Sequence, residues 1–233
     1  MCFSPEGDLV GGIVVIAIGI DACLHLRQRY EYVAIAALPI VLGLHQLDEA
    51  LVWWWLQGHV THGVGVAAMW TYLLFALVVL PSLVPLMVLF FTPPSTYRWR
   101  LVPFVVLGFS VSIILLEAML VGRPQVRLGA YHLAYTIGLR HGVLIIGLYI
   151  VATCGPMLAS GFRPMVWFGA VNIVAAVVLA LLVADGLTSL WCFYAALVSG
   201  AVALHLRYSH PRTRRTPLAG SPSGSAVEPT TLG

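Results

Sequence analysis

Long apolar runs alternate along this chain with short polar breaks rich in Gly, Pro and Arg. The runs cover 5–26, 32–57, 64–91, 101–121, 131–158, 165–184 and 187–207. Each is near the ~20 residues needed to cross a ~30 Å hydrocarbon core as a helix. The pattern predicts an all-α integral membrane bundle of seven transmembrane helices over residues 1–208; Arg140 and His141 interrupt the fifth run, and a helix beginning only at Gly142 would lengthen the outer loop and keep the crossing count. The breaks fit helix ends. Ser4-Pro5-Glu6 reads as an N-cap, a first-turn proline and an acid favoured by the helix dipole. Thr92-Pro93-Pro94-Ser95, Gly122-Arg123-Pro124 and Gly161-Phe162-Arg163-Pro164 read as turns. Pro, Ser, Thr, Gly and Arg dominate after about residue 209, so 209–233 is expected to be a disordered tail. No internal repeat is evident.

Composition agrees with a lipid solvent. The chain is 60% hydrophobic and 9% charged, with mean hydropathy +0.95, whereas soluble domains carry about 25% charged residues. Every one of the 12 basic Lys/Arg positions is arginine. Without lysine no Schiff base forms, which excludes a retinal-type pigment. The net charge of +3 does not point to nucleic acid. Arg207, Arg212, Arg214 and Arg215 cluster beside the last apolar run, where they set topology and meet anionic lipid. Cys2, Cys23, Cys154 and Cys192 show no Cys-x-x-Cys spacing, so no zinc-finger or redox motif is indicated. Glu6 and Asp8 near the start, with no basic residue, argue against a cleavable signal peptide.

Arginine position predicts orientation. Arg27, Arg29, Arg98, Arg100, Arg163, Arg207, Arg212, Arg214 and Arg215 fall on one side, and Arg123 and Arg127 on the other. The positive-inside rule then puts the N-terminus outside and the C-terminus in the cytoplasm of a multi-pass cell-membrane protein.

Ionisable residues inside the apolar runs are costly and mark candidate sites. The densest stretch is His45-Gln46-Leu47-Asp48-Glu49, followed by Trp53, Trp54 and Trp55. On a helix, His45, Asp48 and Glu49 fall within about a 100° arc. At ~1.5 Å per residue, His45 lies near the midplane and Glu49 one turn further out. Glu117 on the fourth run reaches a similar depth, as do Arg140 and His141 on the fifth, with His132 and Asp185 near the outer edge. Four helices would thus place polar groups in the outer half of the bilayer. A His and a carboxylate four residues apart can grip a cation. The expected site is therefore His45, Asp48, Glu49, Glu117, Arg140 and His141 as ligands or proton carriers. His45, Glu49, Glu117 and His132 are the metal set, for a divalent ion such as zinc. Arg140 is the expected counter-ion. The competing reading is an ion-pair network that only pins the bundle.

Other polar positions suggest less. Asp21, His25 and His205 lie near the cytoplasmic edge, as an inner polar layer or as snorkelling end residues. Pro81 and Pro85 should kink the third helix and free carbonyls. Asn172 suits a contact to a neighbouring helix, and His59 and His62 sit in a polar turn. Cys2 and Cys192 fall on the same side, as a disulfide or as free thiols.

Met1-Cys2-Phe3-Ser4-Pro5-Glu6, the His45-Gln46 … Glu49 … Trp53-Trp54 stretch, Arg140-His141-Gly142, Leu190-Trp191-Cys192 and His205-Leu206-Arg207 together resemble an uncharacterised family of bacterial multi-pass membrane proteins. The resemblance covers most of residues 1–208 and implies a membrane location without a known activity. The seven crossings and outward His, Asp and Glu groups also look like zinc-dependent membrane amidases of the alkaline ceramidase type. Those carry Ser-x3-His on one helix and His-x3-His on a late one, whereas the last run here has only His205, toward the opposite side.

The function expected from sequence is binding of a cation or small solute, as sensor or carrier. A metal-dependent membrane hydrolase is the alternative. Haem held between His45 and His132 or His141 is a third. Membrane lipid is the expected partner.

Overall fold

A computed structural model of the chain describes residues 4–26, 30–92, 96–129, 132–161, 163–182 and 187–209. Among these residues seven continuous helices carry the fold. They are α1 (Pro5–Leu26), α2 (Tyr30–Leu56), α3 (His62–Phe91), α4 (Thr96–Gly122), α5 (Gly142–Ala159), α6 (Arg163–Leu182) and α7 (Leu187–Ser209). Four of them, α1, α3, α5 and the Arg98–Gly122 part of α4, are long and apolar enough to cross a membrane. Helices α6 and α7 contain shorter apolar stretches, Met165–Leu179 and Tyr194–His205. The outward faces are apolar as well. Val10, Ile13, Val106, Ile113, Val174 and Leu181 are exposed, a surface that water would not tolerate at this extent.

Helix α1 starts as its residues suggest. The Gly7 amide donates to Ser4 Oγ at 3.2 Å, and Pro5 opens the first turn. Its buried positions are Pro5, Asp8, Gly12, Val15, Gly19, Ala22 and Leu26. These alternate by three and four, one narrow seam along the helix. The seam is mostly small, so α1 and α2 pack backbone to backbone. A Cβ on Gly12 would lie 2.8 Å from the Gly43 carbonyl oxygen, and one on Gly43 would lie 2.7 Å from that of Gly12. Close approach through small residues is the usual basis of helix association in lipid. Helix α7 completes this group, with Ala203 against Ala22 and Leu26, and Ala196 against Val15 and Leu42. An ion pair between Asp21 and Arg207 ties α1 to the end of α7. Asn172 bonds within its own helix instead, donating to the Phe168 carbonyl at 2.7 Å.

Helices α3, α4 and α5 form a second group, and α6 packs against α5 and α7. Residues Leu74–Val79 of α3 form a π-helical stretch that ends two residues before Pro81. Such a stretch leaves carbonyls without their ordinary helical donors. Two neighbours supply donors: Ser112 Oγ on α4 bonds the Val78 carbonyl at 2.6 Å, and the Tyr149 hydroxyl on α5 bonds that of Ala76 at 2.7 Å.

The fifth apolar run departs from expectation. Residues 132–141 do not form its outer half-helix; the helix starts at Gly142, the later start that Arg140 and His141 allow. Instead β1 (Gln125–Leu128) and β2 (Leu133–Thr136) pair antiparallel, with Gln125 opposite Thr136 and Leu128 opposite Leu133. Gly138 (φ 61°) and His141 (φ 60°) lie in the left-handed region, which a continuous right-handed helix excludes. The hairpin packs on the largest buried cluster: Val52 and Trp53 of α2, Ala68, Met69, Tyr72, Leu73 and Ala76 of α3, Met119 of α4 and Leu133 of β2. The expected disordered tail, Arg27, Arg29, Asp185, and the Cys2 and Cys192 side chains lie outside the described residues.

Candidate functional site

Helix α2 sits between α1, α3 and α7 and touches β1. It therefore buries a wide face, and that face carries polar groups. His45 is 3% exposed, Gln46 1% and Glu49 0%, all within four residues. Asp48 is half-buried at the rim. The sequence reading grouped His45 with Asp48 and Glu49. The packing turns Asp48 aside and brings Gln46 in.

A fourth buried polar residue comes from α1. Asp8 is 0% exposed. Gly12 stands opposite Gly43 and Gln46, and Gly19 opposite Pro39 and Ile40, so the two helices run antiparallel. One turn back from Gly12, this register sets Asp8 at the level of Glu49 and Ala50. From sequence, Asp8 counts only as an acid near the start of the chain, against a signal peptide. Its membership of the three-four seam is the signal that reveals its burial.

His45 is held by aromatic rings. Its imidazole stacks on the Tyr72 ring of α3, with centroids 4.1 Å apart and planes 5° from parallel. Phe75 leans against it at 4.9 Å. The stack continues to the hairpin, where the Tyr135 ring lies 4.9 Å from that of Tyr72 at 18°. Both imidazole nitrogens are buried and have no hydrogen-bond partner among the described residues. Neither tyrosine was legible as a site residue, because an aromatic in an apolar run carries no mark of its pairing.

The other expected members do not join this cluster. Glu117 is exposed on α4. The buried positions there are Val111, Leu115 and Met119, and at 100° per residue Glu117 projects from the opposite face. Ser110 shares that exposed face. Arg140 and His141 are exposed in the turn before α5, and His132 is half-buried at the hairpin, where its carbonyl accepts the Gly129 amide at 2.8 Å.

These placements bear on cofactors. Among the described residues no three His, Cys, Asp or Glu side chains gather to hold a metal ion. The expected set of His45, Glu49, Glu117 and His132 is therefore not assembled, because rotation about α4 and the hairpin carry two of its members away. The hydrolase reading needs three converging ligands with one open position, and the described residues do not bring three together. Haem between two histidines requires His45 to oppose His132 or His141. Instead Tyr72 stands between His45 and Tyr135 of the hairpin, and His141 is exposed.

A second feature lies on the outer surface of α3 and α4. Val78, Val79, Ser82, Leu83, Leu86, Phe109, Ser112, Ile113 and Leu116 line an apolar groove of about 340 Å³ beside the π-helical stretch.

The chain matches the model of a family of unknown function, DUF6629, over residues 1–219. No curated protein and no solved structure matches it.

Proposed function

We propose, from the premise that the chain belongs to this family of unknown function, a role read from its buried polar site. The protein is a multi-pass cell-membrane protein of seven crossings, with its N-terminus outside. It binds a small polar solute or cation at His45, with Gln46, Glu49 and Asp8 beside it, and acts as a sensor or carrier.

The observation that carries this reading is the state of His45. A neutral imidazole has one donor and one acceptor. Burying such a group without partners costs about 1–3 kcal/mol. Here the ring is nearly inaccessible and neither nitrogen has a partner among the described residues. A guest that hydrogen-bonds to the ring nitrogens, or a cation that takes the lone pair of one of them, offsets that cost. Intramembrane polar residues are kept against their insertion cost mainly where they bind or conduct. Membrane lipid is the partner of the outer faces. The arginine-poor end of the bundle, carrying Arg123, Arg127 and Arg140, is the outside by the positive-inside rule.

The test is thermal unfolding of the purified protein in lipid nanodiscs with sodium, potassium, ammonium, zinc, glycine and betaine, beside His45→Phe. A ligand at ~100 times its Kd stabilises by about 2.7 kcal/mol. At least one of these should raise the midpoint of the native protein and leave His45→Phe unmoved. Equal shifts in both proteins, or none across the panel, would sink the reading.

A further inference from the structure

We propose that the groove between α3 and α4 holds one anionic phospholipid, with an acyl chain in the groove and the phosphate on Arg98. The proposal needs only that the bundle sits in lipid, and it stands apart from the reading of His45.

The groove suits a hydrocarbon chain. Ser82 and Ser112 line it, and their short side chains leave room between Leu83, Leu86, Phe109 and Ile113. Both hydroxyls turn to the backbone. Ser82 Oγ bonds the Val79 carbonyl at 2.9 Å, and Ser112 Oγ bonds that of Val78 at 2.6 Å. The rest of the lining is hydrocarbon, which an acyl chain matches by dispersion contacts alone. The groove holds about 340 Å³. A helix ~10 Å across fills roughly 900 Å³ over the ~12 Å from Val78 to Leu86. A second helix would therefore rest on the groove and leave it unfilled, whereas a single chain can enter.

The same face carries a cation at one end. Arg98, Val102, Val105, Phe109, Ser112 and Leu116 follow one another along α4 by four and three, which makes one continuous stripe. On α3, Val79, Leu83, Leu86 and Phe90 do the same, and Phe90 is 68% exposed. Pro81 faces Gly108, and the Val78 carbonyl accepts from Ser112. This register sets Arg98 level with Phe91, the last residue of α3. Leu86 lies ~8 Å below that end. The groove runs inward from there, through the depth of one ~15 Å leaflet. Arg98 thus stands where the phosphate of a lipid with its chain in the groove must lie. Helix α3 has no acidic residue, and the one acid of α4, Glu117, is near its other end. A headgroup amine would find no counter-charge on these helices, so an anionic headgroup is favoured.

The experiment counts lipids on the full chain by native mass spectrometry, from detergent micelles doped with dioleoylphosphatidylglycerol or dioleoylphosphatidylcholine. The native protein should hold one phosphatidylglycerol with a Kd at least about fivefold lower than for phosphatidylcholine, the effect of one arginine facing anionic lipid. Arg98→Gln should abolish that preference. Arg163→Gln removes an exposed arginine at the same end of the bundle and should keep it. Ser82→Phe fills the groove and should weaken both lipids. Should it fail to fold, Ile113→Trp fills the groove from α4. No preference in the native protein would overturn the proposal, as would equal loss in Arg98→Gln and Arg163→Gln, the mark of diffuse surface charge. Native-like binding in the groove variant would also overturn it. So would a native dimer that Ser82→Phe dissolves, since the occupant would then be a second copy of the chain.

Discussion

The imidazole of His45 lies flat on the ring of Tyr72, with centroids 4.1 Å apart and planes 5° from parallel. The ring faces therefore pack while the ring edge, with both nitrogens, is left to something else. Packing and binding should separate under mutation. His45→Phe keeps a flat ring on Tyr72 and removes two buried polar atoms, a change that is often neutral or stabilising. Its unfolding midpoint should equal or exceed that of the native protein. His45→Ala loses the ring and leaves a cavity, at a cost of about 2–4 kcal/mol. Tryptophan-fluorescence melts in detergent compare the two. A clear loss in His45→Phe would mean that the nitrogens serve stability.

Close packing of α1 on α2 makes a paired prediction. Gly12 and Gly43 each face the other's carbonyl oxygen inside van der Waals distance of an added Cβ. Backbone carbonyls cannot step aside as a side-chain tip does. Gly12→Ala and Gly43→Ala should each cost about 1–3 kcal/mol by overpacking. Gly147 on α5 has nothing within 4 Å of its would-be Cβ. Gly147→Ala should be neutral or gain up to about 1 kcal/mol from helix propensity. The same melts rank the three, and equal losses at all three positions would remove the close-contact explanation.

What the sequence disclosed follows a physical division. Run length and composition are properties of one segment, and they located all seven helices, with α1 matching 5–26 at both ends. Rotation about a helix is a tertiary property. Axial depth put Glu117 level with Glu49, but the face of α4 that carries Val111, Leu115 and Met119 turned it outward. The 131–141 stretch failed for another reason. Leu133, Ala134, Tyr135 and Leu139 are apolar enough to extend a span, and an alternation only four residues long is a weak strand signal. Asp8 was recoverable, because α1 repeats its small residues by three and four around it. The Tyr72–Tyr135 pairing was not, since it joins residues 63 positions apart, as their numbers show.

The π-helical stretch of α3 should depend on the two hydroxyls that reach it from neighbouring helices. Ser112→Ala removes the interhelical donor to the Val78 carbonyl, which keeps Ser82 Oγ at 3.3 Å, and Tyr149→Phe removes the one to Ala76. Interhelical hydrogen bonds in membrane proteins average about 0.6 kcal/mol, with a maximum near 1.7. Each single variant should lose an amount in that range. The two carbonyls lie two residues apart on one distorted turn, so the double variant should deviate from the sum of the singles. Strict additivity in a double-mutant cycle would show that the turn is held by Pro81 and packing alone.

The Asp21–Arg207 pair should contribute little, although it joins the first and last helices. Both side chains are substantially exposed, at 45% and 31%. Exposed ion pairs are usually worth 0–1 kcal/mol and weaken with salt. Asp21→Asn should cost about 1 kcal/mol or less, and less still in ~1 M salt than in ~0.05 M. A larger loss that persists at high salt would mark a desolvated pair.

Orientation can be decided at the end of the bundle away from the hairpin. Trp99, Trp167 and Tyr208 are 79%, 71% and 73% exposed there, next in sequence to Arg98 and Arg100 and close to Arg163 and Arg207. Exposed Trp and Tyr beside arginines are the composition of a membrane–water interface, and the proposed orientation makes this the cytoplasmic side. With native cysteines removed, Trp99→Cys should be blocked by a membrane-impermeant maleimide only after cells are opened. His59→Cys, in the exposed turn between α2 and α3, should be blocked in intact cells. Arg127→Cys, at an exposed position of β1, should react like His59→Cys. If Trp99→Cys reacts in intact cells and the other two do not, the bundle is inverted, and the His45 site would open to the cytoplasm.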